Sequence, residues 1–176
     1  MSAAMLVLLA ACSGGGERRF RYVEAVEVPA AVTERDRLAA VFAGFAQRNG
    51  LSFADTSPRA QRLSNGRQTL AFVLHRRLTN GHQWAEIAVT ATGNGPALVT
   101  FAQPLDPGVA ADARRGRAAL LAELRRRWPS LQPVPLLPDG GIPRQEDLRH
   151  TADGLKIDAA KAGDYRLPPA SPLLAR

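Results

Sequence analysis

Residues 69–92 read TLAFVLHRRLTNGHQWAEIAVTAT, and the dipeptide in their middle, Asn80-Gly81, decides the fold. Asn-Gly best satisfies a type I′ turn, in which both central residues take positive φ. The runs on either side alternate apolar and polar residues, as strands with one buried face do. A two-residue loop pairs Thr79 with His82 and so fixes the register. Leu70, Phe72 and Leu74 then stand opposite Ala91, Val89 and Ile87. The other face pairs Val73 with Ala88, His75 with Glu86, and Arg77 with Trp84. A slip of one residue would put the apolar groups on opposite faces, so the register is strongly specified.

Working outward, Gly93-Asn94-Gly95-Pro96 makes a second turn into a strand over 97–102, which completes a meander. Upstream, 20–28 reads as a first strand, with Phe20, Tyr22, Val26 and Val28 on one face and Glu24 interrupting it. Thr33 opens a helix, with Asp36 completing a capping box. Leu38, Val41, Phe42 and Phe45 form its apolar stripe, and Asn49-Gly50 ends it. Leu51, Phe53 and Asp55 alternate into a short strand, and 56–67 reads as a polar loop. Downstream, Asp106 caps a second helix that Pro107 begins and Pro129 stops. Its apolar side holds Val109, Ala113, Leu120, Leu121, Leu124 and Trp128. Arg114, Arg115, Arg125 and Arg126 lie opposite. Arg117 falls inside the apolar stripe, where it must snorkel or find a carboxylate. Pro133 and Pro135 confine 132–137 to a sheet edge. Residues 138–176, rich in Pro and Gly, read as a partly ordered tail in which Leu155 and Ile157 dock locally. The expectation is a two-layer α+β domain over 20–137: an antiparallel sheet centred on the Asn80-Gly81 hairpin, with two helices on one face.

Composition narrows the class of protein. The chain has 176 residues, 45% of them hydrophobic and 22% charged, near the globular average. A single cysteine rules out any disulfide within the chain, so an apolar core must supply stability. The net charge of +7 rests almost wholly on arginine, since Lys156 and Lys161 are the only lysines. Such a charge favours anionic partners.

At the other end of the chain, residues 5–12 read MLVLLAAC. The apolar run is too short to span a bilayer, which takes about 20 residues, and fits the core of a secretory signal. Leu9-Ala10-Ala11-Cys12 resembles the lipobox of bacterial lipoproteins: a branched apolar residue, two small residues, then cysteine. No Lys or Arg precedes the run, a departure from the usual signal pattern. The resemblance implies cleavage of 1–11 and acylation of Cys12. Residues 12–19, with Gly14-Gly15-Gly16, would then be the lipidated cysteine and a flexible tether. Ser13 is not the aspartate that favours inner-membrane retention in well-studied Gram-negative lipoproteins. The implied location is therefore the outer membrane, facing the periplasm.

Motifs of catalysis are sparse. His75, His82 and His150 have no metal-ligand spacing, and no HExxH or Cys/His cluster occurs. The serines lie outside any G-x-S-x-G elbow, and Gly93-Asn94-Gly95 sits between strands rather than before a helix. No cofactor or metal is expected. His75 opposite Glu86 is the one acid–base pair the register suggests; more often such a pair is a cross-strand contact. Asp106, Asp112 and Glu123 read as capping and helix-surface charge. The arginine strip of Arg114, Arg115, Arg125 and Arg126 is the main surface feature. It reads either as a solvated face or as a site for anionic lipid, lipopolysaccharide or an acidic envelope protein; nucleic acid is not expected in the periplasm. The functional expectation is a lipid-anchored accessory or binding protein. A small envelope hydrolase and a purely structural lipoprotein are the competing classes.

Overall fold

The computed structural model describes residues 20–78, 81–104, 107–138 and 140–165. Among these residues eight strands and three α-helices follow one another in an α+β order. They are β1 (Phe20–Val28), α1 (Arg35–Arg48), β2 (Ser52–Asp55), α2 (Ser57–Leu63), β3 (Thr69–Arg77), β4 (Gln83–Thr92), β5 (Ala97–Pro104), α3 (Pro107–Arg127), β6 (Gln132–Pro133), β7 (Leu148–Thr151) and β8 (Gly154–Ile157). The first six strands form one antiparallel sheet in the order β2-β3-β4-β5-β1-β6.

The apolar register expected of the central hairpin is present: Leu70, Phe72 and Leu74 pair with Ala91, Val89 and Ile87. Nearer the turn the pairing differs. His75 stands opposite Ala85, Arg76 opposite Trp84 and Arg77 opposite Gln83, because Glu86 is an extra residue bulged out of β4. The hairpin closes with Leu78 N–H donating to the His82 carbonyl, and Gly81 N–H to the Leu78 carbonyl. Three residues therefore separate Leu78 from His82, not the two that join Thr79 and His82 in a type I′ turn. Gly81, at φ +83°, takes the left-handed position that three-residue hairpins need. The added loop residue and the added bulge residue cancel, so the core register is unchanged. Thr79 and Asn80 lie outside the described residues.

The helix-facing side of the sheet carries the core. Leu70, Phe72, Leu74, Ile87, Val89, Val99, Phe101, Val26 and Val28 pack there with the stripes of α1 and α3. Both stripes contain the residues that helical spacing assigned to them. α1 ends in a Schellman arrangement: Gly50 at φ +64° lets Leu51 N–H reach the Ala46 carbonyl. Its start is not the expected capping box. A 3₁₀ turn over Val32–Glu34 precedes it, and the N-cap residue Glu34 makes no side-chain capping bond. Asp106 lies outside the described residues. At the opposite end from Gly50, Arg37 lies over the Trp128 ring at 4.7 Å and donates to the Arg127 carbonyl, which ties the first turn of α1 to the last turn of α3.

Two further expectations need correction. The segment read as a polar loop contains α2. Ser57-Pro58 starts it, and Asp55 Oδ1 accepts from Ser57 N–H at 2.9 Å. The Ser57 hydroxyl accepts from Ala71 N–H at 3.0 Å, occupying the edge of β3 beyond the point where β2 stops. The segment read as a tail contains the β7–β8 hairpin. Leu155 packs there with Ala25 and Val134 in a second small cluster, on the sheet face opposite the helices. His150 Nε2 reaches Glu27 Oε1 at 3.1 Å, and Gln145 Nε2 donates to the Pro96 carbonyl at 3.1 Å. The Tyr165 hydroxyl donates to Asp147 and accepts from Arg144 N–H. Burial, with Asp147 beside it, raises the Tyr165 pKa. Residues 166–176 lie outside the described residues.

Candidate functional site

The sheet carries two bulges, and both open toward one crevice. On β1, Tyr22 pairs with Ala102 and Glu24 with Phe101, so Val23 is the extra residue. On β4 the extra residue is Glu86. These two strands flank β5. Val23, Glu86, Phe101, Ala102 and Gln103 line the crevice from the sheet, and Ala113 and Arg117 close it from α3. It has room for about one water. Bulges re-aim side chains, and here each brings a carboxylate under α3. The β1 bulge has a cost for one expectation: Tyr22 pairs on the opposite face from Val26, not on the same one.

Glu86 is almost wholly buried and is held by Arg76, whose Nη2 donates to Oε1 at 3.1 Å and whose Nε donates to Oε2. Glu24 meets Arg117 Nε at 3.3 Å. The residue that interrupts the strand face and the one that interrupts the helix stripe thus answer each other. Gly116 lies between the pairs: a Cβ there would stand 3.5 Å from Glu86 Oε1, 3.7 Å from Arg76 Nη2 and 3.9 Å from the Phe45 ring. The Arg117–Glu24 pair ties α3 to β1, and the Arg76–Glu86 pair joins β3 to β4 beneath Gly116 of α3.

Gly116 offers a direct check. Glycine inside a helix costs about 0.5–1 kcal/mol relative to alanine, and the three contacts are ordinary van der Waals distances. Gly116→Ala is expected to raise the urea midpoint by that free energy. Gly116→Leu is expected to lower it, because the longer side chain must displace the Arg76–Glu86 pair. A destabilised alanine variant would show that the helix stands closer to the pair than these distances.

His75 is not part of this site. It follows core-facing Leu74 and so points to the other side of the sheet, away from Glu86. Burial alone lowers its pKa. The unfolded chain then binds the proton before the folded one does. Stability is therefore expected to fall as pH drops below about 6.5, the ordinary histidine value. His75→Gln should flatten that part of the pH–stability curve, read by urea unfolding between pH 7 and 5. An unchanged slope would place the titration elsewhere.

Arg114, Arg115, Arg125 and Arg126 are all exposed on α3, as helical spacing requires. They are not equivalent. Arg115 pairs with Asp112 three residues before it. Arg125 and Arg126 belong to the last turn of the helix, where cations favour its dipole. Trp84 faces Arg76 rather than Arg77 and is half-buried, with its indole Nε1 buried and without a hydrogen-bond partner. Among the described residues no group of His, Cys, Asp or Glu could hold a metal ion. Cys12 lies outside them. No protein-family model matches the chain, and no curated protein matches it either.

Proposed function

We propose that the chain is a lipid-anchored accessory or binding protein of the cell envelope, held by acylated Cys12 on the periplasmic face of the outer membrane. The observation that carries this reading is the sequence Leu9-Ala10-Ala11-Cys12 and its placement. It lies shortly before the start of β1 at Phe20. Residues 13–19 span at most roughly 25 Å when fully extended, so the domain is confined near the bilayer surface. Among the described residues no helix is long and apolar enough to cross a membrane. The surplus of exposed arginine suits anionic headgroups or lipopolysaccharide phosphates.

The test is the mass of the N-terminal peptide from membrane-derived protein. It is expected to begin at Cys12 and to carry acyl chains. A peptide that retains residues 1–11 with a free thiol at Cys12 would overturn the proposal.

A further inference from the structure

The arginines divide between the two ends of the domain, and only one end adjoins the anchor. Phe20 pairs with Pro104, so the first residue of β1 and the last of β5 share one end of the sheet. α3 begins at Pro107, directly after that end. Arg77 pairs with Gln83 at the same end, because Ile87 of β4 stands opposite Phe101 of β5. Residues 93–95 and 97, Val28, the first turn of α1 and the last turn of α3 lie at the other end.

Among the described residues the tether end has a charge surplus. Its carboxylates among the described residues are each matched: Glu86 by Arg76, Glu24 by Arg117 and Asp112 by Arg115. Arg21, Arg77 and Arg114 are exposed there and have no carboxylate partner among the described residues. Helical side chains lean toward the helix N-terminus, so Arg114 and Arg115 lean toward the tether end. Arg125 and Arg126 sit about 16 Å farther along α3 and are accounted for by the helix dipole.

We infer that the end of the domain bearing Arg21, Arg77 and Arg114 is a docking surface for an anionic lipid bilayer, on which the domain stands with its sheet strands directed away from the membrane. The occupant follows from charge and position. Arg21 adjoins the start of β1, from which the chain runs back to Cys12; Arg77 lies three strands away at the same end of the sheet, and Arg114 lies in the N-terminal half of α3. The inference rests on the lipid-anchor reading for its biological setting, while the surface itself is testable without acylation.

The experiment uses full-length protein carrying Cys12→Ser, so that no acyl chain masks the charge effect. Binding is measured on vesicles of phosphatidylcholine with phosphatidylglycerol, and on phosphatidylcholine alone. The variant Arg21→Gln/Arg77→Gln/Arg114→Gln is expected to lose about 100-fold in affinity for the anionic vesicles, at roughly fivefold per arginine near such a surface. Arg125→Gln/Arg126→Gln is expected to lose less than about threefold. Nitroxide labels at Gln83→Cys and Asn94→Cys, in the same background, are expected to report headgroup contact at 83 and water at 94. Equal losses in the two arginine variants, contact at 94 instead of 83, or no preference for anionic vesicles would overturn the inference. The mass of the wild-type N-terminal peptide reports separately on acylation, so failure of the anchor and failure of the surface are distinguishable.

Discussion

Replacing Glu86 with alanine is expected to cost about 3–5 kcal/mol, the penalty for leaving a desolvated partner charge unmatched. The side chains of Arg76 and Glu86 are only 13% and 3% exposed. Without the carboxylate, Arg76 keeps its charge, with α3 over it and little water within reach. The double variant Arg76→Met/Glu86→Leu is expected to recover most of the loss, since well-packed apolar groups replace buried ion pairs at little or no cost. Urea unfolding of the wild type, the two single variants and the double variant gives the coupling directly. A loss under about 1 kcal/mol for Glu86→Ala would mean that water reaches Arg76 freely, and that the pair does little to join β3 to β4 beneath α3.

The second large effect is on location. Cys12→Ser is expected to move the protein from the membrane fraction to the soluble one, or to accumulate the uncleaved precursor. Acyl chains contribute about 0.8 kcal/mol per buried CH₂, and stable attachment takes more than one attachment signal. On the proposed docking surface the arginines of the tether end would supply only a salt-sensitive attraction, which weakens as the Debye length falls from about 10 Å at 0.1 M to about 3 Å at 1 M. A high-salt wash should therefore strip the serine variant from which residues 1–11 have been removed and leave the wild type in place. Wild-type protein found wholly soluble would remove the anchor from the account.

The sheet and its two long helices were legible because their signals are periodic. Leu70, Phe72 and Leu74 against Ala91, Val89 and Ile87 admit one register, and the stripes of α1 and α3 admit one buried side. What was not legible depends on single residues. Nothing in the spacing of 83–92 marks Glu86 as a bulge; its identity as a charged residue in a buried strand was the available hint. Reading the turn as two residues then misplaced His75 opposite Glu86 and Arg77 opposite Trp84. The same two-residue turn hides Arg76 as the partner of Glu86. Gly116 carried a signal that sequence reading left unused, since an isolated glycine within an alanine-rich helix implies close packing. The β7–β8 hairpin was hidden by composition. Prolines and glycines dominate its approaches, and its strands are four residues each, too short to show alternation.

If the chain is anchored to a membrane as proposed, the borders of its sheet matter at high surface density. A protein held on a plane meets its own copies far more often than one free in solution, and open β-edges invite lateral zippering into ribbons. One border here is β2, four residues long, and past it the Ser57 hydroxyl already holds the Ala71 N–H that a neighbouring copy would need. The other border ends in β6, where Pro133 has no N–H to offer. These features shorten the ladders at both borders, although β6 pairs with only Val26 and Glu27 of the nine-residue β1.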